Sequence, residues 1–232
     1  MPLLSRTLFL LAAMSLMPLL GCSNSYSAKE IEAWVVDAET GAPVEGVNVV
    51  AYWELEFGLE GGSAYEMEIL ETVTAKNGRF YFPAWGPKEI PSGLPSEARL
   101  KDRDPSIVLF KSGYEGKTVG NNRPIMSMSG HGESVRTSEW NGKKIQFKRF
   151  KGRADEYAIE IAAQMSSLHF IEIGRACEWT HLPKMIAAIA SDIQKLSDQK
   201  LGIVYLPMDL IGNLPRQLEC GNARKFFQGA LR

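Results

Sequence analysis

The residues that decide the fold read Val36-Asp37-Ala38-Glu39-Thr40-Gly41-Ala42-Pro43-Val44-Glu45-Gly46. Mostly apolar residues precede this stretch at 31–36 and follow it at 47–53. Within the stretch, Thr40-Gly41 and Ala42-Pro43 interrupt the apolar pattern, because glycine and proline favour turns over strand interiors. The sequence therefore predicts a strand, a tight connection and a second strand.

A second strand–turn–strand pattern lies further along the chain. Residues 72–75 run into Lys76-Asn77-Gly78 and continue as Arg79-Phe80-Tyr81-Phe82. An Asn-Gly pair favours the positive φ angles of a tight hairpin turn. Together the two patterns predict an antiparallel β module over residues 31–82.

These motifs carry a resemblance to a known family. The pattern Val36-Asp37-x-x-Thr40-Gly41-x-Pro43-Val44-x-Gly46-Val47-x-Val49, followed by Thr74-x-x-Asn77-Gly78-x-Phe80, resembles the carboxypeptidase regulatory-like domain. The run from Ile107 to Tyr114 is similar to the strand and Gly-Tyr turn that close such domains. The resemblance covers residues 30–120 and implies a mainly β fold, a transthyretin-like antiparallel β-sandwich. It also implies a non-catalytic role, because members of that family are mostly accessory modules.

The N-terminus predicts export and lipidation. Arg6 precedes the uncharged apolar run 7–20, which is shorter than the roughly 20 residues of a membrane-spanning helix and is typical of a secretory signal. The run ends in Leu19-Leu20-Gly21-Cys22, which resembles the lipobox of bacterial lipoproteins. The resemblance implies removal of the signal peptide 1–21 and acylation of Cys22. A plain signal peptide, or an uncleaved anchor with an incidental cysteine, is the alternative.

The same resemblance implies a location. Residues 22–29 are polar after the cysteine and are predicted to be a short tether. Ser23, rather than aspartate, is similar to lipoproteins that reach the outer membrane. We therefore expect a lipid-anchored protein of the cell envelope, on the outer membrane and facing the periplasm.

With Cys22 acylated, two cysteines remain. In an exported chain the two remaining cysteines usually pair, so a Cys177–Cys220 disulfide is predicted. The alternative is a metal site built from Cys177, His181 and Cys220. That set has an unusual zinc spacing and lacks an evident fourth ligand.

Composition limits the class of partner. The chain has 232 residues and 45% apolar content, enough for a packed core, and a formal net charge of −1. Nucleic-acid binding usually requires a basic excess, so no nucleic-acid partner is expected. The expected partners are the membrane, through the lipid anchor, and a protein or peptide of the envelope.

The segments between and after the motifs complete the predicted sandwich at residues 30–151. Residues 54–68 form an acidic connection in which a strand continuing through Phe57 is favoured, and a long loop there is a candidate binding region. Five prolines between 83 and 105 predict a surface excursion. Residues 143–151 predict an edge strand protected by lysines, with contact to anionic lipid headgroups as the alternative.

The pattern changes to a helical period at Gly152, so 152–232 is predicted as a helical region. A first helix beginning at 154–156 has one apolar face, formed by Tyr157, Ile161, Met165 and Leu168. A second begins near Thr180 with Pro183 in its first turn, and its apolar face contains Met185, Ile186, Ile189, Ile193 and Leu196. The two are expected to form a helical hairpin, which Glu178-Trp179 packs onto the sandwich.

No catalytic motif accompanies these elements. His131, His169 and His181 lie in unrelated segments, and Gly-x-Ser-x-Gly is absent from the sequence. We therefore expect a protein that is not an enzyme and uses no cofactor or metal, serving as a structural or interaction module. The alternatives are a hydrolase or metal-dependent enzyme with a site between 54–68 and the helices, and an anchoring subunit of an envelope assembly.

Overall fold

The computed structural model describes residues 25–57, 62–95, 98–101, 104–120, 141–169, 177–199, 206–207, 209–214 and 220–228. The fold is mainly β, as predicted, with 36% strand and 28% helix. The strands within those ranges are β1 Ser25–Ala28, β2 Ile31–Asp37, β3 Asn48–Phe57, β4 Gly62–Val73, β5 Arg79–Phe82, β6 Trp85–Glu89, β7 Arg99–Leu100, β8 Ser106–Phe110, β9 Lys117–Val119 and β10 Lys144–Phe147. The helices are α1 Ala154–Ser166, α2 Pro183–Asp198, α3 Leu210–Asn213, α4 Ala223–Phe227 and a 3₁₀ helix at Glu178–His181.

The strands form three sheets. One has the order β10-β2-β5, the second has the order β4-β3-β8-β9 with β7 also paired to β3, and β1 pairs with β6 in a two-stranded ribbon. All pairs are antiparallel except β10 with β2, which is parallel. The predicted edge strand within 143–151 is therefore confirmed as β10 at a sheet edge, but its parallel pairing was not predicted.

The predicted Asn77-Gly78 turn is present, but it does not join two strands of one hairpin. Gly78 has φ +75°, and its carbonyl accepts a hydrogen bond from the Val35 N–H at 2.8 Å. The strands on either side of the turn pair elsewhere, β4 with β3 and β5 with β2. Thr74 explains the change of sheet, because its hydroxyl donates to the Val44 carbonyl at 2.7 Å and accepts from the Val47 N–H at 2.9 Å. These bonds fix the chain at a corner between sheets.

Asp37 organises the connection that follows β2. Its Oδ1 accepts from the N–H groups of Glu39 at 3.1 Å and Thr40 at 3.0 Å, and Oδ2 accepts from Arg149 Nε at 2.7 Å. Gly41 completes the turn at φ +69°. The Thr40 N–H, followed by the Glu39 N–H and Arg149, lowers the pKa of Asp37 to about 2, against the effect of burial. The Asp-x-x-Thr-Gly pattern is therefore a hydrogen-bonded turn.

The first core lies between the two larger sheets. Alternate residues of β2, β3 and β8 point into it, as a strand period of two requires. Its fully buried members include Ile31, Ala33, Val35, Val49, Ala51, Trp53, Ile107, Leu109 and Phe147. Tyr114 of the predicted Gly-Tyr turn stacks on Phe147 at a ring-centroid distance of 4.9 Å.

The second core lies on the other face of the β4-β3-β8-β9 sheet and joins that sheet to the helices. Val50, Tyr52, Ile69, Val108 and Phe110 face the helical residues there. The predicted apolar face of α2 is confirmed, since Met185, Ile186, Ile189, Ile193 and Leu196 are all buried. The predicted packing of Trp179 is also confirmed, because its ring is 1% exposed in this core.

The buried face of α1 and the start of α2 attach the helices to the sheet. The buried face of α1 contains Ala158, Ile161 and Gln164, and Leu168 is buried just after the helix ends. The buried face is therefore rotated slightly from the predicted one, and Tyr157 is only half-buried. Helix α2 lacks a side-chain cap of its own. Glu71 of β4 supplies it, accepting from the N–H groups of Lys184 at 3.0 Å and Met185 at 2.6 Å.

One predicted boundary needs correction, and one predicted surface segment contains strands. Residues 25–28, expected within the tether, form β1, because their backbone groups pair with β6. The proline-containing segment 83–105 lies at the surface between residues 83 and 95, as expected, and it also contributes the short strands β6 and β7. Pro87 is accommodated because β6 belongs to a two-stranded ribbon with a free edge. Among the described residues, no helix is long and apolar enough to cross a membrane.

Candidate functional site

Two glutamates lie directly opposite each other where the β3–β4 pairing is irregular. The register shifts between Trp53 and Glu54, and Glu54 then pairs with Glu66. Like charges opposite each other destabilise an antiparallel pair, and bulges often re-aim side chains next to functional sites. This end of the second sheet is therefore the leading candidate for a functional site.

Glu54 is a buried carboxylate with two unequal oxygens. The side chain is 4% exposed, and Oε2 accepts from Lys101 Nζ at 2.9 Å. Oε1 has no hydrogen-bond partner among the described residues and lies 3.7 Å from Nε2 of His169. His169 itself is 48% exposed. The arrangement holds an accessible imidazole against a buried carboxylate, and a protonated His169 would form an ion pair there.

Tyr52 adds a phenol to the same face of β3. Burial raises the pKa of Tyr52, and the carboxylates of Glu54 and Glu66 act in the same direction. A hydrogen bond with Ser106 and the charge of Lys101 oppose that rise. The phenol therefore stays neutral at physiological pH and can serve as a hydrogen-bond donor.

A cavity of about 180 Å³ adjoins this cluster at β4. Its lining residues are Tyr65, Glu66, Met67, Glu68, Ile69, Lys88, Glu178 and His181. Glu68 holds the ammonium of Lys88 in an ion pair, and Glu178 is buried. The charged lining therefore contains three glutamates against one lysine, which favours a positively charged ligand group.

The two cysteines are connected to the cavity through the 3₁₀ helix that follows Cys177. Cys177 and Cys220 are at disulfide distance, with Cα atoms 5.3 Å apart, as the predicted pairing requires. Glu178 and His181 belong to the 3₁₀ helix that begins directly after Cys177. No group of three or more histidine, cysteine, aspartate or glutamate side chains within the described ranges is arranged to hold a metal ion. The alternative metal site of Cys177, His181 and Cys220 is therefore not assembled here.

The structure brings some predicted residues together and leaves others outside the described ranges. His169 approaches Glu54, and His181 lines the cavity. Cys22 and His131 lie outside the described residues. Strand β3 continues through Phe57 as favoured, so most of the expected 54–68 loop is a long two-stranded hairpin. Lys101 was missed, and no local signal could have found it, because its contact with Glu54 spans 47 residues.

In a second buried carboxylate, Asp192 of α2, both oxygens already accept hydrogen bonds from the chain. It is 2% exposed, and it accepts from Ser112 Oγ at 2.8 Å, Lys195 Nζ at 2.7 Å and Tyr157 OH at 2.6 Å. The Tyr157 hydroxyl also accepts from the Gly113 N–H at 3.0 Å. Since these bonds link both long helices to the turn after β8, the cluster is structural.

Comparison of the chain with protein-family models, with curated proteins and with solved structures found no match. The likeness to the carboxypeptidase regulatory-like domain therefore stays a prediction from the motifs. The geometry at β3 and β4 is the remaining guide to function.

Proposed function

We propose that this chain is a lipid-anchored lipoprotein of the bacterial cell envelope, whose β domain is a non-catalytic interaction module. The lipobox pattern ending at Cys22 supports the anchor, and Ser23 supports the outer membrane. Two sheets around a shared core, joined by the Asp37 turn, support a transthyretin-like sandwich as the finer description of the fold.

The observation that carries the interaction role is the cavity at Glu66, Glu68 and Glu178. Carboxylates at a recessed site attract an ammonium or guanidinium group, and the ion pair between Glu68 and Lys88 is an example of such a contact at this cavity. A volume of about 180 Å³ accommodates the end of one such side chain but not a whole small molecule of drug size. The ligand is therefore a cationic side chain or terminus of an envelope protein or peptide.

Binding of a fluorescent tri-lysine peptide tests this role. The protein, purified from membranes in a non-ionic detergent, should bind tri-lysine and not tri-glutamate, and binding should weaken with added salt. Glu66→Gln removes one cavity charge and should weaken binding several-fold. Glu45→Gln, an exposed glutamate in the turn before β3, is the matched control and should not. Equal affinity of the Glu66→Gln variant and the unchanged protein would overturn the assignment.

One observation favours the enzymatic alternative. The 3.7 Å separation between Glu54 Oε1 and His169 Nε2 is that of a loosely formed acid–base pair, which can tighten when a ligand binds. His169→Ala tests it with p-nitrophenyl acetate and a fluorogenic peptide as probes. Under the binding-module proposal neither probe is turned over by this site. Hydrolysis that His169→Ala abolishes at an unchanged melting temperature would establish the enzyme instead.

A further inference from the structure

The β1–β6 ribbon begins very close to the cysteine that carries the proposed lipid. Ser25 pairs with Glu89, Tyr26 with Lys88 and Ala28 with Trp85. The Tyr26 hydroxyl also donates to the Ala98 carbonyl at 3.0 Å, which fastens the ribbon to the rest of the domain. Three residue steps separate Cys22 from Ser25, so their Cα atoms are at most about 11 Å apart. The expected tether is therefore much shorter than residues 22–29.

An uncharged turn follows β6 at the same end of the ribbon. The residues from 90 to 95 read Ile90-Pro91-Ser92-Gly93-Leu94-Pro95, and the Leu94 N–H donates to the Pro91 carbonyl at 3.3 Å. Ile90 and Leu94 pack partly against the first core and remain half-exposed. Because Glu89 lies opposite Ser25 at a Cα distance of about 5 Å, the turn starts beside Ser25, which follows Cys22 by three residues in the sequence.

We propose that the turn 90–95 lies in the interface of the lipid bilayer, an inference that rests on the proposed lipidation of Cys22. An acylated Cys22 sits at the membrane surface, and the interfacial layer is roughly 5–8 Å thick in each leaflet. Moving half-exposed apolar side chains from water into that layer lowers the free energy of the system. The two-residue spacer, 23–24, and the paired ribbon together fix which end of the domain meets the membrane.

The basic segment around β10 is the competing membrane contact, and ion pairs weaken it. Lys148 contacts Glu115 at 2.7 Å, Arg149 contacts Asp37 at 2.7 Å, and Lys151 contacts Glu39 at 2.6 Å. These three cations already have carboxylate partners within the chain, which weakens their attraction to anionic lipid. The turn 90–95 carries no charge, so its membrane contact should resist added salt.

Photo-crosslinking tests the contact in the full chain, expressed with its own leader in a bacterial host. Benzoylphenylalanine replaces Leu94 in one variant and Ile159 in the matched control. Ile159 is an apolar side chain that is 57% exposed on α1, in the helical layer. After illumination of membranes, mass spectrometry should find lipid adducts at position 94 several times more often than at position 159. The ratio should be the same in low and high salt.

Two further variants and a fatty-acid label distinguish a failure of the lipidation proposal from a failure of the membrane-contact inference. A flexible ten-residue insertion between Asn24 and Ser25 frees the domain from the surface and should abolish the excess of adducts at 94. Leu94→Glu should do the same to a probe placed at Ile90, with an unchanged circular dichroism spectrum. Absence of a fatty-acid label on the protein would refute the lipidation proposal. Labelled protein with equal adduct yields at 94 and 159 would refute this inference alone.

Discussion

Replacing Tyr157 with phenylalanine should destabilise the attachment of the helices to the sheet without altering the core. The hydroxyl donates to the buried Asp192 carboxylate at 2.6 Å and accepts from the Gly113 N–H at 3.0 Å. A hydrogen bond to a charged group contributes about 1.5–3 kcal/mol, and the exposed Gly113 N–H can turn to water. We therefore expect Tyr157→Phe to lower the free energy of unfolding by about 2 kcal/mol.

Urea denaturation measures that change through the midpoint at a constant slope m. A loss of about 2 kcal/mol corresponds to a fall in melting temperature of roughly 4–8 °C for a domain of this size. Tyr81→Phe is the control, since Tyr81 is 42% exposed on β5 and its loss of a hydroxyl should change stability by less than about 0.5 kcal/mol. A Tyr157→Phe effect no larger than that of Tyr81→Phe would refute the reasoning.

A double-mutant cycle and a pH dependence test whether the stability loss of Tyr157→Phe comes from its hydrogen bond to Asp192. In a double-mutant cycle, Tyr157→Phe and Asp192→Asn should show a coupling energy of about 0.5–3 kcal/mol, because the two groups share one bond. Burial and then the Asp192 hydrogen bond raise the pKa of Tyr157 above its ordinary value of 10.0. The neutral phenol therefore contributes stability below pH 10, and that contribution is lost as the pH rises further, a loss that the Tyr157→Phe variant should lack.

Three other results are expected. A fatty-acid analogue should label the protein in cells and Cys22→Ala should abolish the label; label on that variant would mean that another residue is acylated. Non-reducing peptide mapping should recover Cys177 joined to Cys220. Because the loop spans 43 residues, reduction should lower the free energy of unfolding by about 4 kcal/mol in the chain-entropy model. Two free thiols in protein from the periplasm would contradict the pairing. The pKa of Asp37 is lowered from 3.8 to about 2, so its contribution to stability is present above pH 4 and lost as the pH falls toward 2. Asp37→Asn should flatten the dependence of the free energy of unfolding on pH in this range. If that dependence is unchanged, the Asp37 turn is not its cause.

Local features of this protein follow from the sequence. Residues close together in the sequence determine three such features: the strand at Ile31–Asp37, the Gly78 turn and the buried face of α2. Alternation, glycine at positive φ and proline at the helix start act through neighbouring backbone, so a single sequence is enough to identify them. The pairing of Cys177 with Cys220 was expected for a different reason, because the predicted acylation of Cys22 would leave only these two cysteines to pair.

The partners of those elements were decided only by tertiary structure. The Asn77-Gly78 turn is compatible with a simple hairpin, yet Thr74 fixes the corner so that β5 joins β2 instead. The site at Glu54 depends on the same kind of information. The sequence indicated several glutamates close together between residues 54 and 68. Lys101 and His169 come from distant segments and contact Glu54 only because the sheet and the helical layer are packed together. Such contacts depend on the global balance of burial and pairing, and local propensity carries no information about it.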